Sequence, residues 1–334
     1  MRLSYSASSV YELCPQKWKL QKIDKLRAAK ISSPLFFGSA LDEAFSHVLL
    51  QKKEVLTDAE LDLQLNFTAD ELFYSKMLVI SHNNQSVELS QSLLADYYAS
   101  DFAAELLKPE HLGLLQSFEP AYKLTDYIDF HLQCKEQLSA KKKLLPDDQR
   151  LFNYLSWLTM VEKGKLMIQS YKDVVMPQIE RVYDIQKPIS ILNGDGDEIS
   201  GLIDFTASFT SAPGVKYIVD NKTSSKPYPA NSVKESTQLA TYCEAEGVKT
   251  AAYVVVEKKI FKKGDPIRST VILDEIPEQT FEQTFEKYDT TLKGINAGAF
   301  PQNRKACFSF GRLCEYYAVC EYNDRSSLVD LSEK

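Results

Sequence analysis

Apolar residues recur at three- and four-residue intervals through most of the first 180 positions and at alternate positions afterwards, so the chain is expected to open as helices and change to strands near Arg181. At the start, serines precede Val10, Tyr11 and Leu13, which predicts a short helix capped by Ser6 or Ser8. Cys14-Pro15 interrupts it, and Trp18 with Leu20 resumes an apolar face. A second helix is expected from Phe36, where Gly38, Ser39 and Ala40 permit close backbone approach. Asp42 and Glu43 would sit early in it, suited to its positive dipole end. From residue 45 to about 180 the pattern is almost wholly helical, through Leu61, Leu63 and Leu65, then Leu93, Leu94, Tyr97 and Tyr98, then Leu151, Tyr154, Leu155 and Leu158. Breaks fall near His82-Asn83-Asn84, Pro109 and Pro146-Asp147-Asp148. The histidines His47, His82, His111 and His131 stand isolated, so this block reads as a helical cover.

Beyond Arg181 the segments Val182–Ile185 and Ile189–Leu192 read as one strand region, followed by a turn at Asn193-Gly194-Asp195-Gly196. Gly201 to Lys222 reads as two strands joined at Pro213-Gly214. A helix from Lys234 to Glu246, stopped by Gly247, precedes strands at Ala251–Val256 and Ser269–Ile276 and an amphipathic helix at Thr280–Ile295. This order predicts an α/β fold, a central mixed β-sheet flanked by helices, with a large helical insertion. The expected division is 1–45 for N-terminal helices, 46–180 for a helical subdomain, 181–300 for the sheet-bearing core and 301–334 for a cysteine-rich end.

Composition narrows the class. At 44% hydrophobic and 25% charged the chain is an ordinary globular one. It has no run long enough to span a bilayer, and Met1–Tyr11 lacks the apolar core of a signal peptide, so a cytoplasmic protein is expected. A net charge of −7 argues against coating DNA by charge alone. Two local basic clusters remain: Lys17, Lys19, Lys22, Lys25, Arg27 and Lys30, and Lys258, Lys259, Lys262 and Lys263. Each suits phosphates or a solvated face about equally. With Trp18, the first could line a channel for a nucleic-acid strand.

The candidate chemistry lies in the hairpin. Residues i and i+2 of a strand share a face, so Asp220 and Lys222 project together while Asn221 points away. If the strands pair, Asp204 lies beside them. Two carboxylates so placed call for a hard cation such as Mg²⁺ or Mn²⁺, and the lysine can orient a water or offset negative charge on a phosphate. The alternative is a surface ion pair between Asp220 and Lys222, which contributes little. Gln238 and Tyr242 stand one helical turn apart on one face. Cys307, Cys314 and Cys320 crowd the tail, and Cys14 is the evident fourth thiol for zinc or an iron–sulfur cluster, against a reading of buried apolar cysteines. Cys134 and Cys243 are expected as core residues.

In this order, Ser4-x-Ser6 through Tyr11, Cys14-Pro15 and Trp18, then Gly38–Glu43, Gly201-x-Ile203-Asp204, Val219-Asp220-Asn221-Lys222-Thr223, Gln238-x-x-x-Tyr242 and the cysteine tail resemble the PD-(D/E)XK nuclease superfamily. The closer likeness is to its RecB-like branch with an iron–sulfur clasp, which includes the AddB nuclease domain and many phage exonucleases. The resemblance implies a restriction-endonuclease-like core in which Asp204 and Asp220 bind the divalent metal and Lys222 positions the attacking water. It further implies that Gln238 and Tyr242 support the site and contact the DNA backbone, and that Cys14, Cys307, Cys314 and Cys320 hold a [4Fe-4S] cluster, with Zn²⁺ as the alternative. Two departures stand out. Asp42 occupies the position where the family usually carries a histidine metal ligand. Gly311 occupies the position three before Cys314 where a cysteine is usual, so Cys307 would supply that thiolate. The implied activity is a deoxyribonuclease, an exonuclease of recombination, repair or phage replication in a bacterial or phage-infected cell. Its substrate would be linear ends or single strands, beside a helicase or single-strand-annealing partner. A DNA endonuclease and a non-catalytic DNA- or partner-binding module that kept the fold are the rivals.

Overall fold

The computed structural model describes residues 1–28, 31–82, 87–88, 124–140, 142–258, 266–309 and 312–332. Strand β1 (Arg2–Ser4) runs directly into α1 (Tyr5–Leu13), and α2 (Pro15–Lys22) follows after Cys14. Ser4 caps α1, its Oγ accepting the Ala7 N–H at 3.2 Å. This corrects the expectation of Ser6 or Ser8: the helix starts as soon as β1 ends, and Ser8 already lies buried inside it. Strand β2 (Leu26–Ala28) pairs antiparallel with Leu328–Asp330, while β3 (Ile31–Ser32) and β4 (Val87–Glu88), paired in parallel, border a helical layer. That layer comprises α3 (Ser33–Leu49), α4 (Asp58–Asn66), α5 (Ala69–His82), α6 (Leu124–Ser139) and α7 (Pro146–Ser170). The expected features at Asn83-Asn84, Leu93 to Tyr98, Pro109, His111, Lys30, Lys259, Lys262 and Lys263 lie outside the described residues.

The sheet comprises β1, β5 (Ile179–Leu192), β6 (Glu198–Phe209), β7 (Ala212–Ser224), β8 (Thr250–Glu257) and β9 (Ser269–Glu275). β5 runs antiparallel along one edge of β6 for nearly its whole length. The other edge of β6 is shared. β1 pairs in parallel with residues 198–200, whereas β7 pairs antiparallel from Phe205 to Phe209. Beyond Val219, β7 leaves β6 and continues alongside β8 in parallel register, with Asp220 opposite Tyr253 and Lys222 opposite Val255. A fork therefore opens next to residues 201–204 of β6.

The hairpin turn consists of Thr210 and Ser211, with Phe209 opposite Ala212, three residues earlier than Pro213-Gly214. Gly214 instead sits inside β7 at φ +74°, a left-handed position that glycine adopts readily, and its N–H donates to Glu180 Oε2 at 2.9 Å. Helix α8 (Thr237–Glu246) starts after its cap, Ser236, and ends at Gly247 in the left-handed conformation, φ +64°. The remaining elements are α9 (Glu278–Asn296), the pair β10 (Phe308–Ser309) and β11 (Arg312–Leu313), α10 (Tyr317–Tyr322) and β12 (Leu328–Asp330).

Both faces of the sheet are covered, which is why β8 carries the unbroken apolar run Ala251-Ala252-Tyr253-Val254-Val255-Val256. On one face Ala252, Val254, Val256, Phe205 and Val219 join a core with residues of α3, α5 and α7. On the other, Ala251, Tyr253, Val255, Ile203 and Ile218 pack with Leu239, Ala240 and Cys243 of α8. Cys134 and Cys243 are buried, as their helical setting implied. Among the described residues no helix is long and apolar enough to cross a membrane.

Candidate active site

The fork gathers the hairpin's charged residues. Asp220 is 2% exposed, and the Lys222 ammonium lies 2.7 Å from its Oδ2. Apart from this ion pair, the buried Oδ2 has no partner. Gln238 on α8 links the pair: its Nε2 donates to Asp220 Oδ1 at 2.7 Å, and its Oε1 accepts from Lys222 Nζ at 3.0 Å. Tyr242, one turn later, lies 3.2 Å by its hydroxyl from Gln238 Nε2. The Tyr242 ring rests on Gly201, where an added Cβ would stand 2.5 Å from Cε1. Glycine is thus required at that position by close packing. The spacing Gln238-x-x-x-Tyr242 aims both side chains at the fork, as expected of one helix face.

Asp204 enters from β6 one residue before its pairing with β7 begins at Phe205. Its Oδ2 accepts the Asn221 N–H at 2.7 Å, replacing the ladder carbonyl that β7 loses where the strands part. Asn221 points to the opposite face, where its Oδ1 accepts from the hydroxyl of fully buried Tyr171 at 3.2 Å. Tyr171 begins a π-helical turn after α7 and stacks on Phe45 of α3 at 4.3 Å. Asp42 reaches the site from α3. That helix begins at Ser33, so Asp42 and Glu43 lie well inside it and do not complement its N-terminal dipole. Glu43 instead pairs with Lys76. Asp42 Oδ2 accepts from Gln186 Nε2 at 3.0 Å.

The three carboxylates face one ammonium, an excess of negative charge in a mostly buried setting. Burial, then the charges of Asp220 and Asp42, push the Asp204 carboxyl up to about 8. Burial also raises Asp220, against the pull of Lys222, and raises Asp42, against its bond from Gln186. Burial would lower the Lys222 ammonium, but the Asp220 carboxylate outweighs this and holds it above the usual lysine range. Such a site takes up either protons or a cation. Hard oxygen donors, among them a buried Asp220 Oδ2 met only by the Lys222 ammonium, fit Mg²⁺ or Mn²⁺. Among the described residues no group of three or more His, Cys, Asp or Glu side chains is arranged to enclose a metal ion. Mg²⁺ seldom needs such a cage, since one or two carboxylates, waters and substrate phosphates normally complete its shell.

The thiols behave differently. Cys14, Cys307, Cys314 and Cys320 line one cavity of about 20 Å³ with Tyr316 and Tyr317. Burial raises Cys314 and Cys320, which favours the thiol over the thiolate. The space admits about one water-sized body. Trp18 is buried in a stack with Phe300, ring centroids 5.8 Å apart, while Lys17 pairs with Glu315 and Lys19 with Asp24. The segment expected to line a strand channel therefore spends its aromatic ring and two of its lysines on packing and ion pairs.

The structure brings Asp204, Asp220, Lys222, Gln238 and Tyr242, named from the sequence, to one place; the four cysteines line a common cavity, but no three of them are arranged to enclose a metal ion. Sequence reasoning missed Gln186, Tyr171 and the Tyr253 ring, whose centroid lies 5.9 Å from Lys222 Nζ. Strand register carries Tyr253 there, and only the parallel pairing of β7 with β8 reveals it.

No curated protein matches the chain. Among solved structures, SSO0001 aligns with 50% of this chain and 69% of its own at 13% identity, with a TM-score of 0.26. The family model for the PD-(D/E)XK nuclease superfamily matches residues 117–321. That span takes in Asp204, Asp220, Lys222, Gln238, Tyr242 and the three tail cysteines, and leaves Cys14 and Asp42 outside. With its mixed sheet between helical layers and a match over more than half its length, the chain belongs to the PD-(D/E)XK nuclease superfamily.

Proposed function

We propose that the protein is a divalent-metal-dependent deoxyribonuclease acting as an exonuclease on linear ends or single strands, as recombination, repair or phage replication requires. The observation that carries this reading is the meeting of Asp204, Asp220 and Lys222 where β7 leaves β6. Asp204 and Asp220, with Asp42, would hold Mg²⁺ or Mn²⁺. When bound, that ion supplies Lewis-acid polarisation of a phosphate oxygen and a lowered pKa for water.

The chain's own groups do the rest. Lys222, kept charged by Asp220, orients the attacking water and offsets negative charge growing on the phosphate. Water oxygen bonds to phosphorus, the bridging ester oxygen departs, and one proton passes from water to the departing strand end. Gln238 fixes the spacing of Asp220 and Lys222 by bonding both. Tyr242 braces Gln238 and closes the fork over Gly201. Hydrolysis of end-labelled linear and closed circular DNA, each with Mg²⁺ and with Mn²⁺, tests the reading. Release of nucleotides from linear DNA alone is expected, with loss in Asp220→Ala. Cleavage of circles would make the enzyme an endonuclease, and DNA binding without hydrolysis under either ion would make it a non-catalytic module.

We also infer a soft-metal clasp at Cys14, Cys307, Cys314 and Cys320, as in the iron–sulfur branch of the superfamily. Four thiols around one cavity support it. Either a single Zn²⁺ or a [4Fe-4S] cluster requires the thiols to draw closer around that cavity, since no three of them are arranged to enclose a metal ion. Metal analysis after anaerobic purification separates the two: four irons and a brown colour, or one colourless zinc. Protein free of both metals would reject the clasp. A helicase or single-strand-annealing partner in a cytoplasmic setting belongs to the same reading.

A further inference from the structure

We infer that Gln186 is a positioning residue for the acidic site, an inference that rests on the metal-binding reading above. Gln186 adopts φ +50° in the middle of β5, a left-handed conformation that long side chains rarely take. Its neighbours remain in the ladder, Ile185 opposite Phe205 and Lys187 opposite Ile203. The residue facing Gln186 across that interruption is Asp204. The side chain leaves the ladder and crosses to α3, where Nε2 donates to Asp42 Oδ2 at 3.0 Å and approaches Ser46 Oγ at 3.3 Å. One residue thus stands opposite one candidate ligand and holds another.

A kink that served only sheet curvature would be met as well by glycine or asparagine, neither of which reaches α3 in the same way. The chemistry of the amide points to positioning. A lysine or arginine there would fix Asp42 equally well, but its charge would offset the carboxylate and compete with a cation. A neutral donor orients one oxygen of Asp42 and leaves its negative charge intact, the usual task of groups that support metal ligands. The strained backbone persists because paired residues on either side hold it.

The test is Mn²⁺ binding, read by the loss of the free-ion electron paramagnetic resonance signal, for wild type, Gln186→Gly, Gln186→Leu and Asp204→Asn, with the melting temperature of each metal-free protein. Gln186→Gly suits φ +50°, so its metal-free melting temperature should equal or exceed that of the wild type. Its Mn²⁺ affinity should fall about tenfold, and Gln186→Leu, which keeps the bulk and loses the donor, should fall similarly. Affinity within twofold of wild type in both Gln186 variants, while Asp204→Asn loses binding, overturns the positioning role alone. Unchanged binding in Asp204→Asn as well overturns the metal-site reading beneath it.

Discussion

Two groups of metal-type side chains can be compared within this chain: the carboxylates at the sheet fork and the thiols of the tail. The carboxylates sit on β6, β7 and α3, elements tied into the main sheet and its helical layer, and each makes a defined hydrogen bond. The thiols sit on a helix junction, a short 3₁₀ turn, the connection after a two-residue strand, and the six-residue α10. Their contacts to the chain include only weak ones, such as the Asn303 N–H to Cys14 Sγ at 3.4 Å. The first group is organised by the fold before any ligand arrives. The second lies where the two chain ends already meet, through the pairing of β2 with β12, the Trp18–Phe300 stack and the Tyr316 hydroxyl donating to the Leu26 carbonyl, but its thiols are not themselves fixed by strong bonds.

The largest effect that would break this comparison is expected from Asp220→Ala. It leaves Lys222 half-buried without its carboxylate and removes a candidate ligand, so hydrolysis should drop to background while DNA binding remains. Lys222→Met should retain Mn²⁺ binding and lose about 10²–10⁴-fold in turnover, a contrast read by single-turnover kinetics. Cys314→Ser should act in the reverse sense. Bound zinc or iron should be lost and the melting temperature should fall, while Mn²⁺ affinity at the fork stays within a fewfold of wild type at low temperature.

Gly201→Ala comes next. A methyl 2.5 Å from the Tyr242 ring must displace it, at a cost of about 1–3 kcal/mol in denaturant unfolding, with reduced activity because Tyr242 and Gln238 shift together. The pH dependence of metal-free stability offers a finer test. Asp204 holds its proton up to about 8 in the folded protein and only to about 4 when unfolded, so over that window the folded state binds more protons. Stability should therefore be highest below pH 4 for this group and should decline towards pH 8. Asp204→Asn should flatten that decline, and saturating Mn²⁺ should cancel much of it. The smallest effect is expected from Tyr171→Phe, which removes one hydrogen bond to Asn221 and should cost about 1 kcal/mol.

The parts legible in the sequence were those set by local periodicity. Alternation placed Asp220 and Lys222 on one face and Asn221 on the other, and helical spacing joined Gln238 to Tyr242. Gly247 marked a helix end because a left-handed C-terminal residue favours glycine. The rest was set by pairing between distant segments. Pro213-Gly214 looked like the turn, yet the Glu180 carboxylate fixes Gly214 within the strand and moves the turn to Thr210 and Ser211. Trp18 looked available for stacking because nothing nearby in sequence announced Phe300. Gln186 carried no signal at all: its role arises from a register opposite Asp204 and a helix that begins 153 residues earlier, at Ser33.

Anomalous diffraction from crystals grown with Mn²⁺ tests the central claim most directly. The account predicts a peak about 2.1 Å from carboxylate oxygens of both Asp204 and Asp220, on the side that Asp42 faces. A fork without a peak at saturating Mn²⁺, while the same crystals dissolve into protein that still degrades DNA, would contradict it.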